Sequence, residues 1–263
     1  MLLNLALGLI LGLIISVISY KFELLNLKGA IATFFLAWII FTFGHIKWTI
    51  PILSFFNFSS LLSKIRKKIN PKVDNIFQKT DQRDHIQVLA NGGFPGILIL
   101  INQLHTSELY YIAYVSAIAA VCSDTWATEI GTLFGSKTFD IIHFNQVEQG
   151  ISGGVSLIGF IGAGLGAILI MVSAYPWLNN VNEILIIVFI SGFLGSIFDS
   201  VLGSTFQAKF NCTVCSKTIE NQFHCGKKTV HTKGIKWLNN DAVNFAASLS
   251  GGYISIALVL IIL

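Results

Sequence analysis

Long unbroken apolar runs constrain this chain more than any other feature. Leu2–Ser19, Gly29–Ile50, Leu109–Phe134, Gly153–Ala174, Ile184–Phe206 and Asp241–Leu263 each approach or exceed span length. A helical membrane crossing needs ~20 predominantly apolar residues. Gln87–Leu104 also suffices if its polar first turn sits near the surface. A transmembrane barrel is excluded, because its strands alternate apolar and polar residues. Charged residues make up 11% of the chain, against roughly 25% in soluble domains. That excludes a water-soluble enzyme and a disordered chain. The fold class is therefore all-α, a polytopic membrane bundle of about seven helices, with six also compatible. Leu2–Ser19 lacks the basic flank and small-residue cleavage site of a signal peptide and reads as a span. Pro51–Leu62 reads as an interfacial helix. Residues 1–62 thus form an N-terminal unit, and 63–263 form the membrane domain that carries the motifs.

Lys and Arg in short loops mark the cytoplasmic side. Segment 63–87 holds Lys64, Arg66, Lys67, Lys68, Lys72, Lys79 and Arg83; segment 207–240 holds Lys209, Lys217, Lys227, Lys228, Lys233 and Lys236. The loop at 135–150 has Lys137, and the connection at 175–183 has none. With seven spans, the N-terminus and loops 63–87, 135–150 and 207–240 are expected in the cytoplasm of a multi-pass cell-membrane protein. Lys21 and Lys28 then fall outside. No basic stripe interleaved with aromatics suggests nucleic acid as a partner.

Polar residues interrupt the apolar runs on that same expected side. Arg83, Gln87 and Asn91 recur every four residues and share one helical face. Asp124 and Glu129 lie in the fourth span, Asp199 in the sixth, and Asn240, Asp241 and Asn244 open the seventh. Asp124 is expected roughly 15 Å from the inner end of its span, at ~1.5 Å per residue. A charge at such depth costs at least ~2.5–3.5 kcal/mol, so intramembrane acids mark function by default. The bland alternative gives each acid a structural role, Asp124 pairing with Arg83 and Asp199 capping a broken helix. One wet cavity open to the cytosol accounts for all of them together.

Several carboxylates with few cations suit Mg²⁺, which keeps water and is completed by substrate phosphates. Ser152, Gly153 and Gly154 are expected at a helix start, where free backbone N–H groups bind anions. Helix packing is the competing reading for these glycines, and the preferred one for Gly162 and Gly166. Acids, an anion cradle and Arg83 fit phosphoryl or nucleotidyl transfer, which is mostly positioning and charge neutralisation. A cytosolic pocket in a membrane enzyme implies a lipid substrate. The absence of H-E-x-x-H argues against an intramembrane zinc protease. The absence of two matching halves argues against a secondary transporter.

Cys212, Cys215 and Cys225 fall in one polar loop, with His224 adjacent. In a reducing cytosol they are not expected to pair as disulfides. C-x-x-C plus a second nearby donor pair fits structural Zn²⁺, against unligated thiols; His231 could replace His224.

Five motifs occur in order: Arg83-x-x-x-Gln87-Val88-x-x-Asn91-Gly92; Asp124-Thr125-Trp126-Ala127-x-Glu129-x-Gly131; Gly153-Gly154-Val155; Gly195-Ser196-x-x-Asp199-Ser200-x-x-Gly203; and Asn240-Asp241-x-Val243-Asn244. Over about residues 75–263 the set resembles the integral-membrane family of transmembrane protein 19, which includes the plant phytyl-phosphate kinase. The resemblance implies transfer of a phosphoryl group from a nucleoside triphosphate, with CTP a candidate donor, to an isoprenyl monophosphate. Asp124, Glu129 and Asp199 would then hold Mg²⁺ and the nucleotide phosphates, completed by Asp241, Asn240 and Asn244. Arg83, Gln87 and Asn91 would bind the acceptor phosphate, and Ser152-Gly153-Gly154 a second one. The cysteine loop is no part of the plant pattern. A membrane cytidylyltransferase needs the same parts, and a transporter or a structural membrane protein are the readings from other classes.

Overall fold

The computed structural model describes residues 2–71, 82–179 and 181–263. Among the described residues there are eight α-helices: α1 (Leu2–Lys21), α2 (Leu27–Ile39), α3 (His45–Ile69), α4 (His85–Leu104), α5 (Glu108–Leu133), α6 (Leu157–Ala174), α7 (Val181–Thr205) and α8 (Asn240–Ile262). Local chemistry sets their starts. Asn26, Ser107, Ser156 and Asn239 each cap a helix N-terminus by accepting a backbone N–H, and Asp84 forms a full capping box with Gln87. By length and apolarity, Leu2–Lys21, Leu27–Ile69, His85–Leu104, Leu157–Trp177, Asn182–Thr205 and Asn240–Ile262 suffice to cross a membrane.

The 26-residue α5 is long enough to cross, but it is too polar to join that set. Its position explains why. Ile112, Ala113, Tyr114, Val115, Ala117, Ile118, Ala119 and Ala120 are almost fully buried, because α3, α4, α6, α7 and α8 all pack on α5. Its neighbours approach through glycine. A Cβ on Gly162 or Gly166 of α6 would meet the carbonyl of Trp126 or Cys122; one on Gly195 of α7 would meet Ala120; one on Gly251 of α8 would meet Ser116. Small residues bring membrane helices close in this way. Gly162 and Gly166 serve packing, as their spacing suggests.

The stretch Leu27–Ile69 is two legs. A π-helical turn, Ile40–Gly44, ends at His45, whose φ of +52° breaks the helical path. α2 starts beside Arg83, where Asn26 N–H donates to the Arg83 carbonyl, and its continuation ends beside Gln103 of α4, whose side chain reaches the Phe43 carbonyl. α3 begins beside the start of α5, with Tyr111 Oη donating to the Lys47 carbonyl at 3.1 Å. It ends beside the end of α5, where Arg66 meets Glu129. Pro51 lies within α3 and cannot donate to the Lys47 carbonyl four residues back; Tyr111 supplies the missing donor.

This arrangement corrects three expectations. Residues 51–62 are not an interfacial helix but the middle of a 25-residue helix that runs alongside α5. The division between residues 62 and 63 therefore falls inside one helix. The start of α1 lies opposite the basic segment, because α1 and α2 run antiparallel: Gly8 packs on Thr42, and Ser16 Oγ donates to the Ala30 carbonyl. The N-terminus and loop 63–87 consequently cannot share a side, although the sequence predicts that they do. Lys21 and Lys28 join the basic face instead. Among the described Lys and Arg residues, every one except Lys47 lies at that end; Lys72 and Lys79 fall outside the described residues.

The extra-helical structure gathers on the same face. Between α5 and α6, β1 (Thr138–Asp140) pairs antiparallel with β2 (Gln146–Val147) and β3 (Gly154–Val155). Between α7 and α8, β4 (Lys209–Asn211) lies between β5 (Thr218–Ile219) and β8 (Val230–Lys233), beside the hairpin of β6 (Phe223–His224) and β7 (Lys227–Lys228). On the opposite face the described connections are short.

Candidate functional site

A cavity of about 410 Å³ opens among the helix ends on the basic face. Its walls contain Arg83, Gln87 and Asn91 from the start of α4, Asp124 and Glu129 from α5, and Ser152, Gly153 and Gly154 around β3. Asp199 from α7 and Asn240, Asp241 and Asn244 from α8 complete it. The polar groups scattered along the sequence thus converge on one space.

Their local bonding separates them into groups. The carboxylates of Asp124 and Asp199 lie close to each other in the cavity wall. Asp199 is 7% exposed, and its Oδ2 is buried with no protein partner. Asp241 is buried in the wall of the same cavity. Two carboxylates so close together favour a shared proton or a cation. This set of hard oxygen atoms, with one orphaned and no complete protein cage around them, fits Mg²⁺.

Glu129 is differently committed. Ser63 Oγ donates to its Oε1 at 2.5 Å, and Arg66 Nε donates to its Oε2 at 2.9 Å. Arg66 is only 2% exposed, so this is a buried ion pair. Both oxygen atoms of Glu129 are thus engaged by α3, which sets it apart from Asp124 and Asp199, with which the sequence groups it as a metal ligand. Arg83 is likewise not the only cation at the cavity, since Lys64, Arg66 and Lys67 also line it. The signal for Arg66 was present in the sequence. Ser59, Ser63 and Arg66 follow helical spacing, and Ser59 accepts from Trp126 Nε1 at 3.1 Å.

Arg83 lies over the rings of Phe55 and Phe56, 5.7 and 5.5 Å from their centroids. Gln87 accepts the Asp84 N–H through its Oε1 at 3.3 Å. Asn91 Oδ1 is buried without a partner. Pro95, four residues on, also removes the helical donor for the Asn91 carbonyl. Arg83, Gln87 and Asn91 line a second space as well, a narrow apolar slot walled by Leu36, Ile40, Ile52, Phe55 and Val88. The same three side chains therefore stand where a polar cavity meets an apolar one.

Ser152, Gly153 and Gly154 do not form a helix start. α6 begins at Leu157 under the Ser156 cap, and Gly154 belongs to β3. Ser152 N–H donates to Glu220 at 2.8 Å, and Gly154 N–H donates to the Ile151 carbonyl at 3.0 Å. Gly153, at φ +83°, presses on the backbone of Ser204, where any Cβ would clash. The Ser152 and Gly154 amides are therefore spent on the fold rather than offered to an anion. The cysteine loop instead grips Ser152 on every polar group. Gln207 Nε2 donates to its Oγ at 2.9 Å, Lys209 Nζ to its carbonyl at 3.0 Å, and Glu220 accepts its N–H. Burial holds the Glu220 carboxyl above its ordinary range and the Lys209 ammonium below. Glu220 also lines the cavity, and nothing in its sequence surroundings marks it.

Cys212, Cys215, His224 and Cys225 come together at the tip of that loop, each offering one donor atom, all within 4.8 Å of one another. His231 lies apart from them, its ring edge-on to Phe210 at 5.4 Å.

Comparison with known proteins adds a lineage to this geometry. The family model for "Integral membrane protein DUF92" matches residues 10–252. Protein PGR of Arabidopsis thaliana is 31% identical over 262 residues, covering 90% of each chain. An uncharacterized membrane protein of Methanocaldococcus jannaschii is 29% identical over 245 residues, covering 92% of this chain and 89% of its own. The chloroplastic Protein VTE6 of Arabidopsis thaliana is 29% identical over 152 residues, which is 57% of this chain but 38% of that one. No solved structure matches.

Proposed function

Because the chain belongs to the DUF92 family of integral membrane proteins, we propose that it is a prenyl-phosphate kinase whose cavity joins a nucleoside triphosphate to an isoprenyl monophosphate. One observation carries the reading. Arg83, Gln87 and Asn91 stand at the junction of an acid-lined polar cavity and an apolar slot. A lipid phosphate has the same two-part character. Its phosphate would sit against Arg83 and Asn91, with the isoprenyl chain leaving along Leu36, Ile52 and Phe55. The motif resemblance to a family with a phytyl-phosphate kinase supports the same chemistry.

Asp124, Asp199 and Asp241 would hold Mg²⁺, which when bound neutralises the nucleotide phosphates. The cations Lys64, Lys67 and Arg83 at the wall add to that field. In the transfer, a phosphate oxygen of the lipid forms a bond to the γ-phosphorus. The bond from that phosphorus to the β–γ bridging oxygen breaks, and the nucleoside diphosphate leaves. The residues contribute by positioning and charge, as phosphoryl transfer requires. The concentration of Lys and Arg on the cavity face supports a cytosolic opening.

The test is incubation of the purified protein with a panel of prenyl monophosphates and γ-labelled nucleoside triphosphates. The expected products are a labelled prenyl diphosphate and a nucleoside diphosphate. Release of inorganic diphosphate with a nucleotidyl lipid would assign a cytidylyltransferase instead. Lipid flux without nucleotide consumption would assign a transporter.

A further inference from the structure

We infer that Cys212, Cys215, His224 and Cys225 form a closed structural zinc site, which pins the loop bearing Glu220 against the cavity wall. Four donors, one per residue, lie within 4.8 Å of one another. His224 Nδ1 is 3.5 Å from Cys215 Sγ and 3.2 Å from Cys225 Sγ. Tetrahedral Zn²⁺, with bonds of ~2.3 Å to sulfur and ~2.0 Å to nitrogen, places its donors about 3.5–3.8 Å apart. The cluster is therefore already close to the size the ion needs.

Its construction is that of two facing hairpin turns. Cys212 and Cys215 occupy the turn between β4 and β5, closed by Cys212 N–H on the Lys217 carbonyl and Ser216 N–H on the Cys212 carbonyl, both at 3.0 Å. Val214 N–H points at Cys212 Sγ, 3.4 Å away. His224 ends β6, and Cys225 opens the turn to β7. Ser216 and Cys225 both have left-handed φ, +56° and +50°. Non-glycine residues hold that conformation only when their surroundings over-determine it. The packing here is thin, with Phe210, Cys212 and Ile219 among the few buried apolar side chains of the loop. A metal commonly replaces a core in so small a unit.

The donor set selects the ion. Three thiolates and one imidazole are soft to borderline ligands, unlike the oxygen-only set in the cavity, and favour zinc over magnesium. Four protein donors leave no position for water or substrate, so the site is structural. Its consequence reaches the cavity through the chain. Glu220 lies between the two turns, and with Gln207 and Lys209 it fixes Ser152.

Metal analysis of the full-length protein, purified in detergent without added metal, tests the assignment independently of any enzymatic activity. About one zinc per chain is expected. Cys215→Ser, His224→Ala and Cys225→Ser should each lower it at least tenfold, whereas His231→Ala and Cys122→Ser should leave it unchanged. If the loop variants do not fold, exchange of the wild-type metal for cobalt(II) replaces them. Thiolate-to-cobalt charge-transfer absorption with a tetrahedral d–d band supports the site. Folded wild-type protein without zinc and without cobalt uptake overturns it, as does the mass of a disulfide among these cysteines or undiminished zinc in Cys215→Ser.

Discussion

Asp124 and Asp199 face each other, while Glu129 faces Arg66, and the two contacts should respond to mutation in opposite ways. Neutralising one member of the Asp124–Asp199 pair removes a like-charge contact. Asp124→Asn and Asp199→Asn should therefore leave the thermal unfolding midpoint in detergent unchanged or raised. Both should abolish prenyl diphosphate formation, at a cost of about 3 kcal/mol or more of transition-state stabilisation. Arg66→Ala leaves Glu129 buried without its cation and should destabilise by about 3–5 kcal/mol. A stable, fully active Asp124→Asn protein would remove Asp124 from the chemistry. Most of these side chains were legible in the sequence because a carboxylate inside an apolar run is anomalous wherever it occurs. Glu220 was illegible, since its burial is created by a loop folding back onto Ser152. The role of Ser152, Gly153 and Gly154 was misread for a related reason. Glycine-rich segments before a helix look alike whether their amides are free or spent, and here two are spent.

At the scale of elements, the connection between α5 and α6 works as a clamp on α7. Ile142 N–H and His143 N–H donate to Asp140, as does Ser204 Oγ from α7 at 2.7 Å. Burial alone would raise the Asp140 carboxyl, but these donors together hold it well below its ordinary range. A carboxyl depressed in the folded state contributes stability above the unfolded value of about 3.9, and loses it as pH falls. Asp140→Asn should lower the unfolding midpoint at pH 7. The gap between variant and wild type should narrow as pH drops below about 4. A gap independent of pH would show that shape rather than charge secures the clamp. Element boundaries in the first third of the chain were the hardest to read. Hydropathy averages across the turn at His45, and Pro51 suggests a break where Tyr111 has repaired one. α5 was found from its apolar run, and its polarity is tolerated because its neighbours carry the lipid-facing surface for it.

Across the whole molecule, nearly all ionic structure lies on one face, and the antiparallel α1–α2 pair decides which segments share it. Single cysteines placed at Glu23 and at Lys137, in a background lacking the native cysteines, should be labelled by a membrane-impermeant reagent from the same side. One placed at Trp177 should be labelled from the other. Labelling of positions 23 and 177 from a common side would refute the order of the helices. That order could not be read from charge alone, because assigning Lys21 and Lys28 depends on counting α2 and α3 as two crossings.

The encasement of α5 also bears on how the protein is made. A segment with three carboxylates, Glu108, Asp124 and Glu129, and weak apolarity is a poor substrate for insertion into lipid by itself. α3 precedes it in synthesis and brings Ser63 and Arg66, the partners of Glu129, into place beforehand. The glycine faces of α6, α7 and α8 arrive only afterwards. α5 must then wait in the translocation machinery, or beside α3, until its surroundings are complete, and Arg66 becomes as much a residue of biogenesis as of stability.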